Sequence, residues 1–189
     1  MTNVSFPSID DYNDVGMVNY YKIETAKGRS HQEVMDIIQK RGRDNSRTPM
    51  QWNTSKNGGF TTADTTWLGV NPNYETINVE QQLADSDSIY HFYKTMIKLR
   101  KAEEVFQYGT FELLVQKHPS LFVYTRTMED VKALVVCNFS EYKNVLEVPE
   151  ESALDKGTLV LHNYEVTDAA NGADTILKPY ETGVYLFKN

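Results

Sequence analysis

The 189-residue chain has a formal net charge of −7, with 40% hydrophobic and 12% aromatic residues. This length accommodates one large or two small domains, and the apolar content is sufficient for a hydrophobic core. The acidic balance argues against nucleic acid as a partner, because phosphate binding requires clustered positive charge. The sequence has no apolar run of about 20 residues, so we expect neither a membrane-spanning helix nor a membrane partner.

Cysteine and histidine are too sparse to predict a disulfide or a metal site. Cys137 is the single cysteine, which fits a reducing compartment. The first residues lack the basic start and apolar region of a signal peptide. The histidines do not show the spacing of metal ligands, and they are His31, His91, His118 and His162. We therefore expect a cytoplasmic protein with no metal and no cofactor.

Two helices are predicted near the N-terminus. Apolar residues at helical spacing predict the first over 15–27, and Gly28 is suited to end it. Ser30 and Glu33 have the spacing of a capping box, which predicts that the second helix covers 31–40.

A long segment without regular periodicity follows, over residues 41–77. Irregular segments of this length inside a compact chain usually have a function. A short helix is predicted to begin at Asn78. Apolar residues at steps of three and four predict a longer helix over 87–101, with Ser86 as its N-cap.

The pattern changes at 106–109, where we place a domain boundary. Seven short runs rich in β-branched and aromatic residues follow, separated by turn-forming residues. Their spacing predicts an antiparallel β-sandwich over 109–189. Most of the aromatic residues in these runs fall at alternating positions typical of a core, and they are Phe111, Phe122, Tyr124, Phe139, Tyr185 and Phe187.

Residue types alone give weak indications of chemistry. Asp10, Asp11 and Asp14 lie close together, and glycoside hydrolysis uses two carboxylates, but clustered loop acids in an acidic chain are usually solvated. Cys137 lies within a strand pattern typical of a buried, unreactive thiol. The stretch RGRDNSRTPMQW, over 41–52, is compatible with either a salt-bridged loop or a polar wall of a cleft.

Several motifs in a fixed order resemble the C-terminal third of α-glucosidases of the α-amylase superfamily. This group includes oligo-1,6-glucosidases, glucan 1,6-α-glucosidases and trehalose-6-phosphate hydrolases. The motifs are GRDNSRTPMQW, GGFTT, VNPNYETINV, DSIYHFYKTMIKLRK, YGTFELL and HPSLFVYTR. The resemblance implies a mainly β fold, in which residues 1–106 form the last helices and active-site loop of a (β/α)8 barrel and 109–189 form a C-terminal antiparallel β-sandwich.

The resemblance also implies a function for the parent protein. It would be an intracellular α-glucosidase that hydrolyses terminal α-glucosidic bonds, α-1,6 in particular, by the retaining mechanism. Its partners would be α-linked gluco-oligosaccharides. The family's motifs for the catalytic carboxylates are absent from this sequence, so we expect no catalytic residue here and no activity from the chain alone. A carbohydrate-binding β-sandwich module and a trehalose-6-phosphate hydrolase parent are the alternatives.

Within the shared loop, the resemblance assigns roles to individual residues. Arg43 matches an arginine that reaches the sugar at the cleavage point, and Arg47 is the second candidate for substrate binding. Asp44 is expected to brace the loop, as Arg47 does if it does not bind sugar. Thr2 and Asn3 are expected near an outer sugar. Without a barrel, the predicted helix over 87–101 loses apolar cover, so we expect self-association.

Overall fold

The computed structural model describes residues 2–164 and 174–188, and these form two compact units. The first unit reaches His91 and the second begins at Phe92. Within the described residues, no helix is long and apolar enough to cross a membrane. The same part of the chain holds no group of three or more side chains of the metal-ligating types placed to bind a metal ion.

Helices in the first unit begin and end close to the predicted positions. They are α1 (Val15–Ala26), α2 (His31–Arg41) and α3 (Val79–Ala84), and α4 (Ile89–Ala102) begins in this unit. Gly28 follows α1 with φ of +93°, a left-handed conformation that glycine adopts without steric cost. The capping box is present, since the Ser30 side chain accepts from the Glu33 N–H and the Glu33 carboxylate accepts from the Ser30 N–H.

The core of the first unit forms around α2. Val34, Met35 and Ile38 are almost fully buried on one side of this helix. They cluster with residues that precede α1, namely Val4, Phe6 and Tyr12. Burial of such apolar side chains stabilises the fold by about 1.5–3 kcal/mol each.

The irregular segment contains short 3₁₀ turns, which are Arg43–Ser46, Lys56–Gly59 and Pro72–Glu75. Gln51, which is fully buried, connects its distant parts. The Gln51 Nε2 donates to Asn73 Oδ1 at 2.8 Å and to the Ile77 carbonyl at 2.6 Å, and the Gln51 carbonyl accepts from the Val79 N–H. These contacts hold the segment in one conformation without regular secondary structure.

The predicted N-cap of α4 is wrong. The helix begins at Ile89, so Ser88 and not Ser86 is the residue that directly precedes it. The Ser88 hydroxyl accepts from the His91 N–H at 3.4 Å and donates to the Gln82 carbonyl at 2.6 Å. The sequence DSDS offers two serines, and Ser88 is the one that the turn after α3 places at the helix start.

All seven predicted strand runs form strands in the second unit. The strands are β1 (Thr110–Leu113), β2 (Leu121–Met128), β3 (Val131–Asn138), β4 (Asn144–Glu147), β5 (Thr158–His162), β6 (Asp174–Leu177) and β7 (Thr182–Lys188). Five strands form one antiparallel sheet in the order β1-β2-β3-β7-β5, and β4 pairs with β6 in a second sheet. The predicted antiparallel sandwich is confirmed.

The five-stranded sheet is apolar on both faces. Its inner face packs against the two-stranded sheet through a buried cluster that includes Val123, Leu134 and Leu146. Its outer face, formed in part by Val135 and Val184, packs against α4 and α5, where α5 is Val105–Tyr108. The second unit therefore includes most of α4 as well as the sandwich.

The prediction that the sandwich aromatics are mostly core residues is wrong for three of them. Phe111, Phe122 and Phe139 are 54%, 41% and 69% exposed, whereas Tyr185 is buried as expected. Successive side chains of a strand point to opposite faces of the sheet. Leu121 and Val123 belong to the inner cluster, so Phe122, which lies between them in β2, is on the outer face. Sequence alternation indicates that a residue faces one side of a strand, but it does not indicate how much of that side is covered.

Candidate functional site

The arginine-rich loop is attached to the start of α1 by a bidentate ion pair. Arg43 donates from Nε and Nη2 to the two carboxylate oxygens of Asp14, at 2.8 and 2.9 Å. Asp14 also accepts from the Gly16 N–H at 2.9 Å and so caps α1. The hydrogen bonds from Arg43 hold the pKa of the Asp14 carboxyl well below its usual range, and the carboxylate is ionised at neutral pH.

A second carboxylate, Asp44, is fully buried and braces the same junction from inside. Its Oδ2 accepts from the backbone N–H groups of Asn13 and Asp14, at 2.7 and 2.6 Å. Its Oδ1 lies 3.5 Å from Nη1 of Arg47. A buried carboxylate is stable only when its oxygens are hydrogen-bonded or paired, and Asp44 meets both conditions.

Asn45 connects this loop to the core of the first unit. Its side-chain amide donates to the carbonyls of Ile38 and Gln39 at the end of α2, and its Oδ1 accepts from the Tyr12 hydroxyl at 2.9 Å. Burial raises the pKa of this tyrosine hydroxyl, so it remains a donor. Val4 donates its backbone N–H to the Asn45 carbonyl. The stretch Arg43–Ser46 is therefore fixed on buried residues rather than displayed on a loose loop.

Arg43 and Arg47 differ in the number and length of the contacts that their guanidinium groups make. Arg43 is 67% exposed at its side chain but has two donors committed to Asp14. Arg47 is 43% exposed and makes a longer contact of 3.5 Å with Asp44. The geometry makes Arg43 the more firmly held of the two arginines.

A cluster of small polar side chains joins the N-terminal residues to the far end of the irregular segment. Asn71 donates to the carbonyls of Thr2 and Asn3, and Asn73 donates to the Thr2 hydroxyl at 2.6 Å. Both Thr2 and Asn3 are exposed beside this cluster. The contacts fix the position of the residues that were expected near an outer sugar.

The remaining early acids lie in a structural turn, and the thiol is partly buried in the sheet. Asp10 and Asp11 lie in a short 3₁₀ turn, where the Asp11 carboxylate accepts from the Ser8 N–H. The Cys137 sulfur lies 3.0 Å from the Thr182 hydroxyl, and burial raises the pKa of the thiol. A raised pKa disfavours the reactive thiolate.

Each histidine makes a local hydrogen bond. One ring nitrogen of each lies close to a group in the same part of the fold: His31 to the Tyr21 hydroxyl, His91 to the Asp85 carbonyl, His118 to the Ser120 N–H, and His162 to the Tyr164 carbonyl. The second ring nitrogen of His162 contacts Glu181 at 2.8 Å. These contacts account for the histidines as structural residues.

The described features fit a class of two-domain enzyme in which a catalytic domain precedes a small β-sandwich. Residues 2–109 match the family model of the α-amylase catalytic domain, and residues 111–184 match the maltogenic amylase C-terminal domain. The first match covers more than half of the chain, and the chain therefore belongs to the α-amylase family. The junction between the two matches lies at Thr110, the first residue of β1.

Among curated relatives, the chain is 44% identical over 186 residues to an oligo-1,6-glucosidase of Parageobacillus thermoglucosidasius, covering 98% of the chain and 33% of the relative. It is 37% identical over 187 residues to a trehalose-6-phosphate hydrolase of Bacillus subtilis, again covering 98% of the chain and 33% of the relative. The chain thus spans about a third of the length of these relatives.

Solved structures add a further kind of relative. A trehalose-6-phosphate hydrolase of Bacillus licheniformis matches with a TM-score of 0.92 and 33% identity, covering 100% of the chain and 34% of that structure. An isomaltulose synthase of Klebsiella sp. LX3 matches with a TM-score of 0.88 and 32% identity, covering 98% and 33% respectively. The fold of this chain thus occurs within a structure named as a hydrolase and within one named as a synthase.

Proposed function

We propose that the chain is the C-terminal part of an α-glucosidase that hydrolyses terminal α-1,6-glucosidic bonds of oligosaccharides by the retaining mechanism. The observation that carries this proposal is the rigidly braced loop Arg43–Ser46, which lies in the match to an α-amylase catalytic domain. The higher identity to oligo-1,6-glucosidase, 44% against 37% for trehalose-6-phosphate hydrolase, favours α-1,6 linkages. The catalytic carboxylates would come from the part of the enzyme that precedes these residues in the relatives.

The chain would contribute one wall of the substrate site and stabilise the barrel through its sandwich. Arg43 is the residue assigned to the sugar by resemblance, with Arg47 as the second candidate. The hydrogen bonding of the two side chains instead favours Arg47 over Arg43 as the residue that binds sugar. Since Arg43 has two donors engaged by Asp14, we propose that it positions the loop and that Arg47, with its longer contact, binds sugar hydroxyls.

This division of roles is testable in a chimaera that joins the first two-thirds of the Parageobacillus oligo-1,6-glucosidase to this chain. Arg47→Ala is expected to lower kcat/KM for isomaltose by about 10- to 100-fold, the value of one charge-assisted hydrogen bond. It should lower the Tm less than Arg43→Ala does, because the 3.5 Å contact is long and Asp44 keeps its two backbone hydrogen bonds. Arg43→Ala is expected to lower the Tm, because the buried Asp14 loses its partner. A loss of kcat/KM confined to Arg43→Ala, with an unchanged Tm, would restore Arg43 as the sugar contact.

The 189-residue chain alone should not hydrolyse p-nitrophenyl α-glucoside or isomaltose. The substrate class is tested in a polypeptide that carries this chain together with its own preceding catalytic-domain sequence, by comparing kcat/KM for isomaltose and trehalose 6-phosphate. A preference for trehalose 6-phosphate would replace the α-1,6 proposal with the phosphorylated substrate. Turnover by the isolated chain would overturn the proposal that its carboxylates are supplied elsewhere.

We also propose a cytoplasmic location. Two observations support it: the chain has a single cysteine, and the thiol is partly buried beside Thr182 rather than placed for a disulfide. Detection of the enzyme in a cytoplasmic fraction, with none in the medium, is the expected result.

A further inference from the structure

We propose that Asn57 is a site of spontaneous deamidation, that the folded 52–64 loop slows this reaction, and that the product keeps the loop open. The sequence contains two Asn-Gly pairs, Asn57–Gly58 and Asn171–Gly172, and the second lies outside the described residues. Asparagine is a thermolabile residue, and a following glycine has no side chain to hinder attack by its backbone nitrogen. The reaction does not involve a sugar, so its failure and that of the proposed glucosidase function are independent results.

The backbone of the loop requires the residue types that make this pair reactive. Asn57, Gly58 and Gly59 have φ of +58°, +63° and +70°, so three successive residues are in the left-handed region. Glycine adopts this region without steric cost, and asparagine is one of the few other residues that tolerate it. The conformation of the loop therefore favours an asparagine directly before a glycine.

The reaction joins the Gly58 backbone nitrogen to Cγ of Asn57. A C–N bond forms while the bond from Cγ to Nδ2 breaks, and Nδ2 leaves as ammonia with the proton of the Gly58 N–H. Water then breaks one of the two C–N bonds of the cyclic imide. Cleavage at Cγ gives aspartate, and cleavage at the backbone carbonyl gives isoaspartate, in which the main chain runs through the side chain. The net change replaces an amide and water by a carboxylic acid and ammonia.

Hydrogen bonds restrain both reacting groups in the folded loop. The Asn57 Nδ2 donates to the carbonyls of Ala63 and Thr61, at 2.7 and 3.3 Å. The Asn57 carbonyl accepts from the Phe60 N–H at 3.1 Å, which fixes the peptide plane that contains the Gly58 nitrogen. Ring closure requires the side chain and this peptide plane to rotate towards each other, so these hydrogen bonds must break first.

Gly58 is also held by its surroundings. It is buried, and its carbonyl accepts from the N–H groups of Trp52 and Asn53 at 2.7 and 3.2 Å. A Cβ placed on Gly58 would lie 3.5 Å from Cα of Gln51 and 3.6 Å from Cγ1 of Val70. The loop must therefore open locally before the pair can react, and the rate in the folded chain depends on the fraction of molecules in which it is open.

The product does not fit the closed loop. A carboxylate replaces the donor Nδ2, and its oxygens cannot donate to the carbonyls of Thr61 and Ala63. Isoaspartate also lengthens the main chain directly before Gly58, whose carbonyl accepts two backbone N–H groups. Conversion therefore removes the contacts that close the loop, and it should make the chain a substrate for proteases at Phe60.

The first test compares conversion at Asn57 in the folded chain and in the chain unfolded by urea, by peptide mapping with mass spectrometry. The folded chain should convert at least about tenfold more slowly, because the loop must open first. In urea, Asn57 and Asn171 should convert at similar rates, and the Asn57→Gln variant should show no conversion at position 57. Equal rates in the folded and unfolded chain, or no conversion in urea, would overturn the proposal.

Gly59→Ala separates opening of the loop from the reactivity of the pair. A Cβ at Gly59 would lie 2.6 Å from Oδ1 of Asn53, and φ there is +70°, so the variant disfavours the closed loop while Asn57 and Gly58 stay unchanged. The folded-state rate should rise by about fivefold or more, and the rate in urea should not change. Gly28→Ala, at φ of +93° after α1, is the matched control and should leave both rates unchanged.

Hydrogen exchange decides the same question without a variant. The amide hydrogens of Trp52 and Asn53 are donated to the Gly58 carbonyl, so their exchange in the unmodified chain reports the open fraction of the loop. The folded-state rate at Asn57 should agree, within about tenfold, with the rate in urea multiplied by this fraction. A much faster rate would mean that the closed loop itself reacts, and the proposal would be wrong.

Limited digestion with chymotrypsin tests the effect of the product. The Asn171→Gln variant is converted in urea and refolded, so that Asn57 belongs to the one remaining Asn-Gly pair. The converted chain should be cleaved after Phe60 at least about tenfold faster than the unconverted chain. Asn57→Asp supplies the carboxylate without the longer main chain and should show part of this increase. Unchanged cleavage of the converted chain would show that the product fits the closed loop, against the proposal.

Discussion

Arg43 holds Asp14 through two hydrogen bonds of 2.8 and 2.9 Å, although the arginine side chain is 67% exposed and the aspartate side chain only 1%. The pair connects residues that are 29 positions apart. Since Asp14 also caps α1, a single carboxylate joins the helix start to the arginine-rich loop. Stability and the shape of the proposed sugar-binding wall therefore depend on the same group.

The first prediction concerns acid stability. The pKa of Asp14 is lowered in the folded state, chiefly by the hydrogen bonds from Arg43, so the unfolded chain binds a proton at a higher pH than the folded chain. The stabilisation is fully present above the unfolded pKa of about 4 and is lost as pH falls from there towards the folded pKa. Asp14→Asn should therefore flatten the decline of the unfolding free energy below about pH 4, measured by urea unfolding at several pH values.

The control for this experiment is Asp64→Asn. Asp64 pairs with Lys56 at 2.9 Å, but its side chain is 99% exposed, and exposed pairs contribute little to stability. Its acid profile should match that of the unmodified chain. An Asp14→Asn profile with an undiminished slope would show that the ion pair does not couple protonation to folding.

The second prediction concerns the buried brace. Asp44→Ala removes the acceptor for the backbone N–H groups of Asn13 and Asp14, and leaving such donors unpaired costs on the order of 2–4 kcal/mol. Asp44→Asn should cost less, because the amide oxygen can still accept. The unfolding free energy of each variant measures this difference. Equal losses for the two variants would indicate that the charge, rather than the acceptor oxygen, is required.

The sequence predicts those features that depend on neighbouring residues. The capping box of α2 depends on Ser30 and Glu33, which are three residues apart, and the strands depend on short alternating runs. Both patterns involve residues close together in the sequence, and the capping box and the strands are both present in the structure. The resemblance to α-glucosidases likewise rests on contiguous motifs. It implies that residues 1–106 are the end of a barrel and that residues 109–189 are a sandwich.

Features that depend on distant partners could not be predicted in this way. Nothing in the sequence near Arg43 indicates that its partner is Asp14. By sequence Asp14 does not differ from Asp10 and Asp11, and only the fold places it against the loop. The exposure of Phe122 depends on how far α4 and α5 extend over the outer face of the sheet, on which Phe122 lies. Ser86 and Ser88 differ in role only because of the path of the turn after α3. In each case tertiary placement, rather than residue type, determines the outcome.

The third prediction tests the two faces of the sheet. Leu134 is fully buried in the inner cluster, so Leu134→Ala should lower the unfolding free energy by about 2–5 kcal/mol through lost burial and a residual cavity. Phe139→Ala, at a 69% exposed position, should change it by less than about 0.5 kcal/mol in the free chain. Urea unfolding, followed with a probe in the second unit, measures the unfolding free energy of both variants. A large loss for Phe139→Ala would mean that this side chain is covered in the free chain.

The fourth prediction concerns Gly109, which separates α5 from β1. A Cβ added there would lie 2.6 Å from the Val105 carbonyl oxygen and 3.1 Å from the Thr127 carbonyl oxygen, and both atoms belong to the backbone. Backbone atoms cannot rotate away as a side chain can, so Gly109→Ala should destabilise the second unit by about 1–3 kcal/mol. Thermal unfolding of the chain measures the loss.

Gly28 offers a matched comparison for this last variant, because its constraint is of the opposite kind. A Cβ at Gly28 meets no atom within 4 Å, but the residue has φ of +93°. Gly28→Ala should therefore cost about 1–2 kcal/mol from backbone strain. Gly28→Asn should recover part of it, since asparagine tolerates the left-handed region. Gly109→Asn should recover nothing, because a steric clash does not depend on the polarity of the side chain. Recovery at Gly109 by asparagine would show that strain, and not the approach of the two carbonyl groups, requires glycine at the junction.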